Sequence, residues 1–369
     1  MSKNFKCLDE LIHSGETEIS LDSDVVLENV EEMEYFEGIS LDVDDIVIDG
    51  NGFCVDAGGK TRIFHCTGEN VVIKNLTFKN GFSKENGGVI HIDEGELTVL
   101  DSRFFDNVSG EDGGAIFNED GVLTVGKSIF FGNSAADFAG AINNWGELKI
   151  SESVFQANKA NNGGAIFNDD GEVSIDASTF SENGSQKGGA LFNNDGGEVS
   201  ISGSLFEKNT AENGGAILNE NCDMGISDST FEANEAAEDG GAIHNAGELA
   251  IVESEFNGNR SNRDGGAILN NRGDLKIKKS SFALNNAVVN GGAIYNYDAE
   301  LSVSESVMEK NSAEFGGAIG NAKSVIDVGE SSLRDNVAKN SGGAIYLDDS
   351  DYESENNNFE DNVPDDVFE

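Results

Sequence analysis

Gly113-Gly114-Ala115-Ile116-Phe117-Asn118, followed by Leu123, Val125, Ser128, Phe130 and Asn133, is a block that returns through the chain every 24 to 26 residues. Its leading position falls at Gly87, Gly113, Ala139, Gly163, Gly188, Gly214, Gly240, Gly265, Gly291, Gly316 and Gly342, which makes eleven copies. A fixed period of that size is the mark of a stacked array, in which each unit buries its apolar face only against its neighbours. Within a unit the apolar positions lie two apart, the period of a strand and not of a helix. Three short strands are expected per unit, around Ala115–Phe117, Leu123–Val125 and Ser128–Phe130. All length variation falls just after the first Asn and just before the Gly pair, which are therefore the loops.

Three strands and about 25 residues per turn describe an all-β fold, a single-stranded parallel β-helix. The general preference of parallel crossovers makes it right-handed. Because equivalent residues of successive coils lie one above another, the columns of the repeat have direct physical readings. The second Gly is present in every copy while the first is Ala139 once, so the tighter backbone demand is expected at the second. The Asn column from Asn118 to Asn321, and the Asn of every Phe-x-x-Asn motif, are expected to bond their neighbours above and below, since a buried carboxamide is costly without partners. Ser128 and its equivalents should share the Phe side of the strand. Ile92 and Leu347 replace the first Asn in the terminal copies, as capping units should.

Residues 4–13 place Phe5, Leu8, Leu11 and Ile12 on one face of a short helix that would plug the open end of the first coil. Alternating runs follow at Ile19/Leu21, Val26, Ile39/Leu41, Ile46/Ile48, Ile63 and Val71/Ile73. They suggest a division into residues 1–81, a helical cap with irregular coils, and residues 82–369, the eleven regular coils closed by a polar last one.

Asp plus Glu number 69 against 23 Lys plus Arg, a formal net charge of −46, which argues against nucleic acid or an anionic membrane surface as partner. The four cysteines, Cys7, Cys54, Cys66 and Cys222, show no metal-ligand spacing and read as free thiols, with a Cys54–Cys66 pair the one bridge worth testing. No metal or cofactor is implied, and the calcium repeat Gly-Gly-x-Gly-x-Asp is absent. The segment Met1–Glu10 has no apolar run of signal-peptide length and no later window would insert in a membrane, so the chain read literally is cytoplasmic, soluble and monomeric.

The paired Gly-Gly-Ala-Ile and Phe-x-x-Asn motifs resemble those of the chlamydial polymorphic membrane proteins. With Asp49-Gly50-Asn51-Gly52 and Asn75-Leu76-Thr77-Phe78-Lys79-Asn80-Gly81 they are also similar to methanogen adhesin-like proteins. The resemblance implies a right-handed, pectin-lyase-like β-helix, secreted or displayed at a cell surface, with a role in adhesion.

The function expected on these grounds is a non-catalytic, adhesin-like rod that recognises a carbohydrate or protein partner. The alternative is a polysaccharide lyase or glycoside hydrolase, because many right-handed β-helices are such enzymes. No catalytic residue is singled out. Of the four histidines, His13, His65, His91 and His244, the last two share a repeat position, and chance carboxylate pairs abound among 69 acidic residues. One column is a candidate ligand stripe: the residue between Ile and Asn should point outward, and it includes Phe117, Phe167, Phe192, His244, Tyr295 and Tyr346. Exposed aromatic stripes stack on sugars or anchor partners, whereas loops folding over the stripe would make it part of the core.

Overall fold

The structure, a computed structural model, describes residues 3–369. Two compact units, up to Thr179 and from Phe180 to Glu369, are described in turn. Each is a parallel β-helix of the right-handed kind, with every strand paired to its equivalent one coil away.

In the first unit a regular coil runs through strands Ile116–Glu119, Val122–Gly126 and Ile129–Phe131. A fourth, two-residue strand that the repeat did not announce follows the Phe-x-x-Asn asparagine: Val108–Ser109 pairs with Phe82–Ser83 and Ser134–Ala135. Ile116, Leu123, Val125 and Phe130 are fully buried. Phe104, Phe130 and Phe155 stack face to face, with centroids 4.4 and 4.7 Å apart and rings within 3° of parallel. Offset-stacked pairs of this kind add about 0.5–1.5 kcal/mol each beyond their burial. Asn107 donates through Nδ2 to Asn133 Oδ1 at 2.8 Å, and Asn118 to Asn144 Oδ1 at 2.7 Å, so both Asn columns are ladders. Serine forms a third ladder, the backbone N–H of Ser102 donating to Ser128 Oγ at 3.1 Å.

The two glycines of the pair do different work. Gly113 has φ 62°, and Ala139 holds the same left-handed conformation at 57°. At Gly114 a Cβ would stand 2.2 Å from the carbonyl oxygen of Gly140 in the next coil, so the invariant second position is a close approach of backbones.

The helix Phe5–Ile12 closes the start of this unit, burying Phe5, Leu8 and Ile12, and Asn4 caps it by accepting the Cys7 N–H. Leu11, expected on the same face, is only half-buried. In the irregular coils Val25 rather than Val26 points inward. All four cysteines are free, Cys54 lying on an outward position of the Phe sheet and Cys66 inside the Ile sheet, so no bridge joins them.

The second unit repeats the plan. Phe180, Phe206, Phe231, Phe256 and Phe282 stack at 4.6 to 4.9 Å. One Asn ladder runs from Asn209 to Asn362, and the other from Asn193 to Asn321. The glycine-pair column ends on Asp365, whose Oδ1 accepts the N–H groups of Gly342 at 2.6 Å and Gly343 at 3.3 Å. Those two donors would otherwise have no next coil to bond.

Candidate functional site

The expected ligand stripe is largely covered. Phe117 is fully buried, and Phe167 and Phe192 are 4 % exposed. The glycine-pair loop of the preceding coil is the cover. A Cβ on Gly320, in the same column, would meet Gly291 N at 3.0 Å, and Phe138, just before Ala139, lies 4.4 Å ring to ring from Phe167. Lys187 Nζ sits 5.2 Å above the Phe192 ring. Tyr295 and Tyr346 are half-buried, the latter between Phe315 and Phe368. His244 lies among Asp239, Glu220, Arg263 and Lys187, and its Nδ1 is buried without a partner. Burial holds its imidazole below the ordinary histidine range. The stripe is therefore mostly core: a chain that doubles back so closely on its own strand leaves no room for a ligand above it.

The first unit differs where the regular repeat begins. Strand Phe64–Cys66 lies one coil before Ile90–Asp93, and the register places Ser40, His65, His91 and Phe117 in one outward column. Alternation puts Asp93 and Glu119 in the adjacent outward column, directly paired. Each histidine leans on the carboxylate of the following coil. His91 Nε2 is 2.8 Å from Glu119 Oε2, and His65 Nε2 is 3.9 Å from Asp93 Oδ2. The imidazoles are 5.3 Å apart, His91 meets the edge of Phe117 at 5.1 Å, and Phe117 meets Trp145 at 5.0 Å. Four rings thus run from His65 to Trp145, whose indole is 39 % exposed.

Over His91 the cover differs, because the coil before it has no glycine pair. Arg62 occupies that place. Its Nε donates to Gly87 O at 3.0 Å and its Nη2 to Asn86 O at 2.6 Å, carbonyls that begin the glycine column and have no earlier coil to serve. Arg62 thus caps the column at its carbonyl end and sets a positive charge beside His91. Burial, then the Arg62 charge, hold His91 below the ordinary histidine range in spite of its bond to Glu119. When Nε2–H donates to Glu119, the lone pair is left on Nδ1, as in a histidine base oriented by a carboxylate. The arrangement offers a neutral base, a second imidazole one coil away, a nearby cation and an exposed indole.

The sequence held one signal for this site that the repeat count passed over. His65 and His91 are 26 residues apart, one coil, but Arg62-Ile63 lacks the glycine pair by which coils are recognised. Among the described residues there is no group of three or more His, Cys, Asp or Glu suited to a metal ion, and no helix long and apolar enough to cross a membrane.

The description of the Chlamydia polymorphic membrane protein repeat matches residues 101–119, 203–220, 228–246 and 253–271, so the chain is a β-helix bearing that repeat. No curated protein matches it. Among solved structures, an alginate lyase of family PL6 in complex with a trisaccharide is similar at 12 % identity and TM-score 0.55, covering 96 % of this chain and 87 % of that one. The alginate lyase AlyF-OU02 with G6 is similar at 10 % identity and TM-score 0.53, covering 100 % and 88 %. At these identities the likeness establishes the fold. It also runs against the expectation of a non-catalytic, adhesin-like rod, both of these similar β-helices being alginate lyases.

Proposed function

We propose that this repeat-bearing β-helix is a carbohydrate-active enzyme that cleaves a uronate-containing polysaccharide by β-elimination, with His91 as the base. The observation that carries the reading is the neighbouring pair His65 and His91, 5.3 Å apart, each set against a carboxylate of the next coil, in a ring run that ends on exposed Trp145. The fold shared with two alginate lyases supports it by analogy.

The chemistry follows from the geometry. Trp145 offers an indole face on which a sugar ring stacks. Nδ1 of His91 removes the proton α to the uronate carboxyl, and Glu119 stabilises the imidazolium that forms. The C–H electron pair becomes a C4=C5 double bond as the C4–O4 bond breaks. The departing oxygen takes up a proton, which the neighbouring His65 is placed to deliver. The Arg62 charge lowers the energy of the enolate-like carboxylate that develops in between.

The test is incubation of the purified protein with alginate and with polygalacturonate, following the ultraviolet absorbance of new C4=C5 bonds. Unsaturated ends that form with wild type and not with His91→Gln are expected. New reducing ends without unsaturation would move the chemistry to hydrolysis by Asp93 and Glu119, and no new ends on either polymer would remove the enzyme reading.

A further inference from the structure

The Phe strands of the first unit bury Phe78, Phe104, Phe130 and Phe155 on one side and carry two columns on the other. The register gives Thr77, Arg103, Ile129 and Val154 in one column, and Lys79, Phe105, Phe131 and Gln156 in its neighbour. Phe105 and Phe131 stand edge to face with centroids 6.2 Å apart, and Phe131 is 39 % exposed. Rings have no structural reason to stand on this side, since the core is filled by the other column. In the second unit the same outward column reads Glu207, Glu232, Asn257, Ala283 and Glu309, which is what a solvated face looks like.

Cations gather around the rings, with Asp56 the register partner of Lys79 and Asp101 lining one groove with Arg103 and Lys127. Lys79, Arg103 and Lys127 are all exposed. Among the described residues neither Lys79 nor Arg103 has a carboxylate within ion-pair distance, and Lys127 has only the exposed Glu152 at 3.8 Å. A groove of about 450 Å³ lies on the Arg103 side of the face, lined by Asn51, Asn75, Asp101, Arg103, Lys127 and Ile129. Three cations with one loose partner are notable in a protein of net charge −46, whose long-range field repels polyanions.

We propose that this face is a binding strip for an anionic polysaccharide, separate from the His65/His91 site, in which Phe105 and Phe131 stack on sugar rings while Arg103, Lys79 and Lys127 pair with their carboxylates. The ring faces give the stacking surface that sugars use, and the cations select an acidic chain over a neutral one. Only the choice of a carbohydrate as ligand rests on the function proposed above. As a second grip on the polymer, the strip would hold the chain between cleavage events and raise the effective concentration of cleavable bonds.

The experiment is affinity electrophoresis of the full chain in gels containing polygalacturonate, a neutral glucan or single-stranded DNA, for wild type, F105S/F131S, R103Q and N257S. The expected result is retardation by polygalacturonate alone, weakened about tenfold in F105S/F131S and in R103Q and unchanged in N257S, on the same outward column of the second unit. Melting temperatures close to wild type would confirm that these exposed changes leave the fold intact. Undiminished retardation of F105S/F131S overturns the strip even if the protein cleaves the polymer. Retardation lost in F105S/F131S, in a protein that cleaves nothing, sustains the strip and removes the proposed lyase instead. Equal retardation by DNA, lost in the same variants, would make the face a nucleic-acid site and overturn the assignment.

Discussion

His91 and His244 occupy the same position of the repeat and both are half-buried, yet one is paired with a carboxylate and the other has a ring nitrogen shut away without a partner. His91 donates to Glu119 and borders Trp145 through Phe117, under a coil in which Arg62 stands where a glycine pair would be. His244 follows a regular coil whose glycine pair is Gly214 and Gly215, and its Nδ1 is buried without a hydrogen bond. The difference teaches that a complete repeat closes most of its own outward column. The irregular first coils, which look like imperfect copies, are the place where two histidines, two carboxylates and an arginine come to one surface.

The largest expected effect separates the two histidines outright. His91→Gln should lower the rate of polyuronate cleavage by roughly 10²–10⁴-fold, the usual contribution of a general base, whereas His244→Gln should leave the rate within about twofold. Equal losses in both, measured by initial rates, would break the comparison.

Next is the cover itself. Gly114→Val drives a side chain into the carbonyl of Gly140 and should cost about 3–5 kcal/mol, read as a lowered denaturation midpoint. Gly113→Ala should cost less, about 1–2 kcal/mol, because Ala139 already adopts that backbone although a Cβ at Gly113 would stand 2.3 Å from Ile116 O. A reversed order would show that the left-handed turn, not the close approach, fixes the coil.

A smaller effect sharpens the account of His244. His244→Leu matches Leu218 and Leu269 on either side of it in the column and removes an unpaired buried nitrogen, so it should stabilise the protein by about 1 kcal/mol. The pH dependence carries a definite sign. Both histidines are held below 6.5 in the fold, so the unfolded chain binds protons first. Their contribution is complete above about 6.5 and declines as the pH falls below it. The drop in melting temperature on acidification should shrink in His244→Leu, and the acid limb of the wild-type rate should lie below 6.5, where His91 loses its lone pair.

The smallest effect concerns the loop column. Asp112 accepts the Phe138 N–H at 3.1 Å, and burial pushes its carboxyl up to about 6. Asn86 and Asn290 stand at the equivalent position in other coils. With a folded value above the ordinary 3.8, the charged carboxylate weakens the fold above about pH 6, and this is relieved as the pH falls toward 3.8. Asp112→Asn should therefore stabilise by roughly 1 kcal/mol at pH 7.5, after discounting for solvent screening, and by nothing near pH 4, as thermal melts at the two pH values would record.

The sequence by itself determined the coil, its three main strands, the Asn and Ser ladders and the inward columns. Each of those depends on residues one period apart, and a period is visible without coordinates. It also marked the second glycine as the stricter of the pair. What only the tertiary structure decided is which outward positions stay open. Alternation says that Phe117, Phe167 and Phe192 point away from the core, but not that a loop from the coil before returns over them. Nor does it pair His91 with Glu119, 28 residues on, a contact that needs a diagonal across two strands and a missing glycine pair at Arg62. Burial on the outside of a solenoid is set by how its loops fold back, and that depends on backbone close approaches between coils rather than on the hydrophobic period within one.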